Sequence, residues 1–435
     1  MWLIDATPGL FTDFYELTMA RVYFRKSCKE TASFEVTVRR LPEHWGFFVM
    51  AGLSEVESYL RAFRFDDDDV TYLSSTGKFD SDFLDYLAGF RPNVQIRALP
   101  EGTLFFPNEP ILEVTGPIVD AQLLETYLLN ILGFSIIEAT LATRAMIAAQ
   151  GVPVLDFGLR RCQGPIASLR SARSGQIAGF KGTSNVFAAR AFDFPASGTM
   201  AHSYVQIHRS EEQAFRDFAE SFREATVLLV DTYDTIEGIK TAARVAQTFR
   251  EQTGVEIRGI RIDSGDLVDL SRFARDHFEQ QGVEFLKIFV SGDLDEYRIA
   301  DLLERGAQID GVGIGTRYGA ARHAPAIEIV YKIIEYAGQG QAKASPGKHT
   351  RPGRKTIRRT ITEGHYTRDT ISPFDRTPDD LLRPLASADP MAEVQKRLAA
   401  QLAALPSRFQ ILKDPETYPV VFASDPEAPR TSTPD

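Results

Sequence analysis

VLLVDTYDT (227–235), IRGIRIDSG (257–265), KIFVSGD (287–293) and DGVGIGT (310–316) are short apolar runs that end in Asp, Ser, Thr or Gly. The first three lead into stretches of helical apolar spacing that run to residues 249, 281 and 305. Two earlier runs share the rhythm: VPVLDFG (152–158), with a helix to about 178, and TMAHSYV (199–205), with a helix from 211. Repeated strand-then-helix units predict a parallel sheet, as a barrel or an open doubly wound sheet. In such folds the ligand sits at the carboxyl ends of the strands, where these polar residues fall. Each Asp, Ser or Thr taken alone reads equally as the N-cap of the next helix; together they favour a site.

The N-terminal third is mixed. Residues 32–39 (ASFEVTVR) alternate as a strand does, and 53–63 and 81–90 have helical spacing. Residues 94–114 read as two or three strands with turns at 100–102 and 107–110. Residues 121–150 predict two helices broken near Gly133, and 392–405 predict another. The acidic run 66–69 reads as a helix start or a solvated face. Residues 343–359 carry seven Lys or Arg: a solvated loop beside a hairpin, or a loop facing phosphate. The last dozen residues read as frayed.

Composition bounds the rest. The 435 residues carry 25% charged and 43% hydrophobic residues and a net charge of −10, which excludes general disorder. Two cysteines, Cys28 and Cys162, exclude a disulfide framework and a four-cysteine zinc site. No basic n-region followed by an apolar core opens the sequence, and 123–149 is interrupted by Glu125, Asn130, Glu138 and Arg144. The expectation is a cytoplasmic protein with no membrane and no nucleic-acid partner; the acidic balance leaves room for a basic pocket that takes a small anion.

Particular strand ends suggest particular chemistry. Gly311-Val-Gly-Ile-Gly-Thr316 lets backbone N–H groups approach a phosphate, although no Walker lysine follows. Arg261-Ile-Asp-Ser-Gly-Asp266 places a cation and two carboxylates in one turn, suited to sugar hydroxyls or a Mg2+–diphosphate. Asp231, Asp234 and Asp293 would add acid to the same mouth. His202 lies in an expected strand among small residues that leave space on its imidazole. Phe157 beside Arg160 and Arg161 suits a flat anionic ring, or equally a core aromatic with surface arginines.

Read in order, DFYELTMA (13–20), PEGTLFFPNEPILEVTGP (100–117), DFGLRRCQG (156–164), GFKGTSNV (179–186), GTMAHSYV (198–205), LLVDTYDT (228–235), IRIDSGD (260–266), VSGDLDE (290–296), GVGIGT (311–316), the lysine–glycine run 343–355 and LPSRFQILKDPETYPV (405–420) resemble the nicotinate phosphoribosyltransferases. The resemblance covers nearly the whole chain. It implies an α/β fold: an irregular β/α barrel of the type II phosphoribosyltransferase kind over 119–325, and an α/β sandwich built from 1–118 and completed by 326–435. It also implies a homodimer with shared active sites. The implied reaction joins nicotinate to phosphoribosyl pyrophosphate, giving nicotinate mononucleotide and pyrophosphate, with Mg2+ and with ATP hydrolysis coupled through a phosphohistidine.

The residue roles follow from the same resemblance. His202 matches the phosphorylated histidine. Tyr15 matches a tyrosine near the nicotinate ring, supplied by the partner subunit, and Phe157 would stack on that ring. Arg160, Thr199 and Arg261 would serve the carboxylate and its neighbours. Asp263 and Asp266 would handle ribose hydroxyls or the Mg2+–diphosphate, with Asp263 the candidate metal contact. Gly292, Gly313, Gly315 and Thr316 would hold the 5′-phosphate.

Two departures stand out: Arg317-Tyr318 where a small or aliphatic pair is expected, and Glu328-Ile329 where two glycines are expected. Competing readings are a nicotinamide phosphoribosyltransferase, a quinolinate phosphoribosyltransferase, a phosphosugar aldolase or isomerase, and a barrel that binds a phosphosugar without turnover. Ser184-Asn185 after Gly182-Thr183 disfavours the amide, because the nicotinamide enzymes carry an aspartate there.

Overall fold

The runs at 227–229 and 311–314 are buried throughout and 259–262 is buried except for the half-buried Arg261, as in a parallel sheet wrapped by helices, whereas 287–290 alternates, with Lys287 exposed and Phe289 half-buried. The structure, a computed structural model, describes residues 8–343, 351–385 and 387–423. The chain divides into two compact units, Glu138–Pro325 and the remainder on either side of it.

The central unit holds a five-stranded parallel sheet in the order Val154–Asp156, Gly311–Ile314, Lys287–Val290, Gly259–Ile262, Val227–Leu229. Single parallel bridges, Asp156 to Thr183 and Thr183 to Ala196, carry the wall onward from its first strand. The result is an irregular β/α barrel. Helices Pro165–Ala178, Thr235–Thr253, Leu267–Gln281 and Glu296–Glu304 follow four of the strands. The expected strand at 199–205 is not one: His202–Gln206 is a short helix. The chain touches the wall at Ala196 through a single residue and then leaves it, so 199–205 has no neighbouring strand to pair with. Its apolar spacing instead buries Met200 and Val205.

The other unit is built from both ends of the chain. Strand Thr31–Val38 pairs antiparallel with Pro110–Pro117 on one side and with Ile329–Tyr336, from the C-terminal part, on the other. This sheet has six strands; a second has three, where the hairpin Lys355–Thr362 and His365–Pro373 is joined in parallel by Val420–Phe422. The acidic run starts a helix: Asp66 Oδ1 accepts the Asp69 N–H at 2.9 Å while Asp69 Oδ2 accepts the Asp66 N–H at 3.1 Å, a capping box. Residues 344–350 of the basic run and the last dozen residues lie outside the described residues.

The helical break expected at Gly133 falls elsewhere. Helix Ile118–Gln122 ends before Leu123-Leu124, and Glu125–Ala149 runs on through Gly133. Gly133 lies inside the continuous helix, and a Cβ there would meet only Ile329 Cγ2 at 3.4 Å, an ordinary contact. The apolar 118–149 stretch is long enough to cross a membrane by composition, but 83% of its most apolar window is buried inside the protein. A helix apolar on all sides is a core helix when protein surrounds it.

Tyr15, Glu16, Gln122 and Glu125 form a cluster in this unit. Gln122 donates to Glu16 Oε2 at 2.8 Å and to Glu125 Oε2 at 3.2 Å, and the Tyr15 hydroxyl donates to Glu125 Oε1 at 3.1 Å. Burial, and then the nearby Glu125 charge, push the Glu16 carboxyl up to about 8. A carboxyl protonated in the fold and ionised when unfolded makes folding weaken as pH rises from the ordinary carboxylate range through 8. Glu16→Gln, which keeps the acceptor and removes the titration, is therefore expected to lose less melting temperature than the parent between about pH 5 and about pH 8. Parallel melting curves for the two proteins would mean that Glu16 ionises in the fold as it does in water.

Candidate active site

The carboxyl ends of three adjacent strands are tied by one chain of hydrogen bonds. Asp231 Oδ2, just past Val227–Leu229, accepts the Asp263 N–H at 3.1 Å and the Ser264 hydroxyl at 2.6 Å. Asp263 Oδ1 in turn accepts the Ser291 hydroxyl, past Lys287–Val290. The other oxygen of Asp231, Oδ1, is buried and has no partner among the described residues. A buried carboxylate oxygen without a donor is costly unless a ligand or cation meets it. Gly292 closes the cluster: its φ is +100°, and a Cβ there would lie 2.0 Å from the Asp263 carbonyl oxygen. Only glycine fits both conditions.

Arg261 crosses this mouth. One Nη donates to the Met200 carbonyl at 2.9 Å, and its Nε is buried with no partner among the described residues. Burial lowers its pKa, opposed by Asp263 and Asp231, with Arg160 adding a like charge. Arg160 itself is exposed on the short turn Leu159–Arg161. Thr199 is half-buried and borders the same Met200 carbonyl. His202 opens its short helix, and its Nδ1 lies 3.1 Å from the Thr232 hydroxyl. Glu211 feels Asp231 and Asp234, and burial first, then those charges, raises it to about 7.

Phe157 and the glycine run meet directly. The Phe157 N–H donates to the Ile314 carbonyl at 2.7 Å, and a Cβ on Gly313 would lie 2.3 Å from the Phe157 ring. Gly313 also stands inside the strand, opposite Leu155. The ring accounts for the missing side chain at Gly313, which leaves its backbone as what it could offer a phosphate, and Gly315 and Thr316 follow beyond the strand. Asp156 supports Phe157 from below, accepting the Gly158 N–H at 2.7 Å and the Thr183 hydroxyl at 2.6 Å. Its burial raises its pKa.

Three of the strand-end aspartates are helix caps. Asp234, Asp266 and Asp295 accept N–H groups at the starts of their helices. Asp266 is exposed and pairs with Arg305 at 2.9 Å, so its observed partners are a cap and an ion pair, apart from the Asp231–Asp263 cluster. Tyr15 belongs to the other unit, with 47% of its surface exposed. Asp295, Glu296 and His323 sit close enough to hold a cation, but Arg144 pairs with Glu296, and Arg317 and His323 with Asp295. Ser264 and Ser291 were legible as polar strand ends but without a role of their own, and Thr232 and Thr183 were not singled out for the site, because a hydroxyl's role depends on a partner that is distant in sequence.

The sequence was then compared with known proteins. Residues 10–133 match the nicotinate phosphoribosyltransferase (NAPRTase) N-terminal domain, and residues 152–369 match the nicotinate phosphoribosyltransferase (NAPRTase) family. The chain belongs to the nicotinate phosphoribosyltransferase family. It is similar to nicotinate phosphoribosyltransferase pncB2 of Mycobacterium tuberculosis, at 42% identity over 95% of this chain and 91% of that one. It is also similar to the nicotinate phosphoribosyltransferase of Bacillus subtilis, at 40% identity over 87% of this chain and 79% of the other. Among solved structures it matches human nicotinic acid phosphoribosyltransferase with a TM-score of 0.82 and 28% identity, over 95% of this chain and 98% of that one. The barrel and the two-ended α/β unit are thus the nicotinate phosphoribosyltransferase architecture.

Gly292→Ala is expected to cost roughly 2–4 kcal/mol, because it adds a backbone clash to a left-handed residue. The loss is read from the denaturation midpoint, with kcat/KM falling as Asp263 is displaced. A parent-like midpoint would show that the loop does not press on Asp263 in solution.

Proposed function

We propose that this chain joins nicotinate to phosphoribosyl pyrophosphate, forming nicotinate mononucleotide and pyrophosphate in NAD salvage, with ATP hydrolysis coupled through His202. The observation that carries the pocket reading is Arg261: a half-buried guanidinium at the mouth of the barrel whose buried Nε has no partner among the described residues. Nicotinate's carboxylate would supply the missing acceptor, and a charge-assisted bond of this kind is strong in a desolvated site. Phe157 would offer its face to the pyridine ring, Arg160 and Thr199 would border the carboxylate, and Tyr15 would come from a second copy of the chain in a homodimer. The nicotinamide alternative is disfavoured by the residues after Thr183: Asn185 caps the next helix, accepting the Ala188 N–H, and Ser184 carries no charge. A carboxylate there would hold an amide and repel an acid.

The reaction needs little acid–base work. The pyridine nitrogen attacks the anomeric carbon with its own lone pair, the bond to pyrophosphate breaks, and the centre between them has oxocarbenium character. Position and electrostatics then supply most of the rate. Asp263 would bind ribose hydroxyls, and Gly292, Gly315 and Thr316 would surround the 5′-phosphate. Asp231 and Asp263 fit a hard cation, since Asp231 Oδ1 is a buried oxygen lacking a partner. Mg2+ bound there would neutralise the leaving diphosphate. In the tautomer whose Nδ1–H donates to Thr232, His202 would keep the Nε2 lone pair to take the γ-phosphoryl group of ATP, releasing ADP. Cytoplasmic residence fits these substrates.

The test is product formation from nicotinate, nicotinamide or quinolinate with phosphoribosyl pyrophosphate and Mg2+, each with and without ATP. Nicotinate mononucleotide from the first alone, increased by ATP, is expected; product from nicotinamide instead would overturn the pocket reading. His202→Ala should abolish both ATP stimulation and phosphoryl labelling of the protein, and labelling that survives would refute the phosphohistidine. Arg261→Ala should raise the KM for nicotinate about a hundredfold, the order expected from losing a charged hydrogen-bond partner. A parent-like KM would move the carboxylate site elsewhere.

A further inference from the structure

Arg317 stands where the family pattern leads one to expect a small or aliphatic residue, immediately after Thr316. It is not a free cation at the mouth. Its side chain is 13% exposed, with one Nη donating to Asp293 Oδ2 at 2.7 Å and the other to Asp295 Oδ2 at 3.1 Å. Both aspartates belong to the loop after Lys287–Val290, whereas Arg317 belongs to the turn after Gly311–Ile314. These are the two loops that carry Gly292 and Gly315-Thr316.

We infer that Arg317 is a positioning residue: it straps these two loops together through Asp293 and Asp295 and so sets the width of the 5′-phosphate mouth. Asp293 shows why a strap is needed. Its φ is +53°, directly after Gly292 at +100°, so two left-handed residues follow one another in this loop. A non-glycine residue holds that conformation only when its surroundings insist on it. Here Arg298 donates to the Asp293 carbonyl at 3.0 Å and pairs with its Oδ2 at 3.1 Å, and Arg317 donates to that same Oδ2. Asp295 is braced in the same way: it caps helix Glu296–Glu304 through the Arg298 N–H at 2.9 Å, and its Oδ2 also meets His323 Nε2 at 2.9 Å. On the far side of the turn, the Tyr318 hydroxyl donates to the Ser171 carbonyl at 2.6 Å, with its ring buried. The unusual pair Arg317-Tyr318 therefore pins the turn Thr316–Gly319 from two directions. Two of its nitrogens are held by carboxylates while its Nε is buried without a partner among the described residues, and in this proposal Arg317 acts on the phosphate mouth through shape.

This inference rests on placing the 5′-phosphate at Gly292, Gly315 and Thr316. The experiment measures KM and kcat with both substrates for Arg317→Ala, Arg317→Lys, Asp293→Ala, the Arg317→Ala/Asp293→Ala double variant and Thr316→Val. Arg317→Ala is expected to raise the KM for phosphoribosyl pyrophosphate about tenfold, with kcat within about twofold and the nicotinate KM unchanged. Arg317→Lys should recover part of the loss, Asp293→Ala should reproduce it, and the double variant should add little, since the two residues act as one unit. A parent-like KM in Arg317→Ala alongside a raised KM in Thr316→Val overturns the strap and leaves the phosphate site standing. Parent-like values in both overturn the phosphate placement itself. A lowered KM in Asp293→Ala with a raised one in Arg317→Ala would make Arg317 a direct phosphate ligand and also refute the strap. Should Arg317→Ala not fold, Arg317→Lys and Asp293→Ala carry the same comparison.

Discussion

The contact on which the mouth of the barrel depends is the one between Gly292 and the backbone of Asp263. It brings two neighbouring strand ends closer than any side chain at 292 would permit. That approach puts the Ser291 hydroxyl on Asp263, while the Asp263 N–H and the Ser264 hydroxyl reach Asp231. Three strand ends thereby share one set of hydrogen bonds, and the oxygen left over, Asp231 Oδ1, faces the mouth as an unmet acceptor.

The same logic holds Phe157. Gly313 has no side chain because the ring fills that space, and Asp156 anchors the following turn through Gly158 and Thr183. An aromatic face held this firmly loses little entropy when a flat ligand stacks on it. Across the mouth, Arg261 is oriented by a single carbonyl, which leaves the rest of its guanidinium available.

The two-ended unit solves a different problem, that of docking a C-terminal segment onto an N-terminal one. Buried charges specify the register. Lys355 donates to Glu35 at 2.7 Å, Arg97 and Arg354 converge on Glu113, and Arg359 pairs with Asp369 at 2.6 Å while also reaching the Leu104 carbonyl. Such pairs add little net stability once desolvation is counted, yet losing one partner strands the other charge in the core. They therefore act mainly to exclude alternative dockings. The pairing of Ile329–Tyr336 with Thr31–Val38 supplies the backbone half of the same joint.

The strand–helix rhythm of 227–316 was legible in the sequence because a strand buried on both faces must be an unbroken apolar run, and that pattern is local. The capping box at Asp66–Asp69 was legible for the same reason: cap and partner lie three residues apart. Residues 199–205 were misread as a strand because pairing depends on a neighbour, and the wall had already passed at Ala196. Gly133 does not break the helix, because a single glycine is tolerated inside a long helix that is packed in the core. At the site, the sequence alone determined which chemical groups are present: carboxylates, a histidine, guanidinium groups, an aromatic ring and glycines at strand ends. Only the tertiary structure decided which were already spent. Asp266 is taken by a helix end and Arg305, and two nitrogens of Arg317 by aspartates, whereas Asp231 Oδ1 and the Nε atoms of Arg261 and Arg317 have no partner among the described residues. Whether a polar group is free to meet a ligand depends on partners brought near by folding, and those partners are distant in the chain.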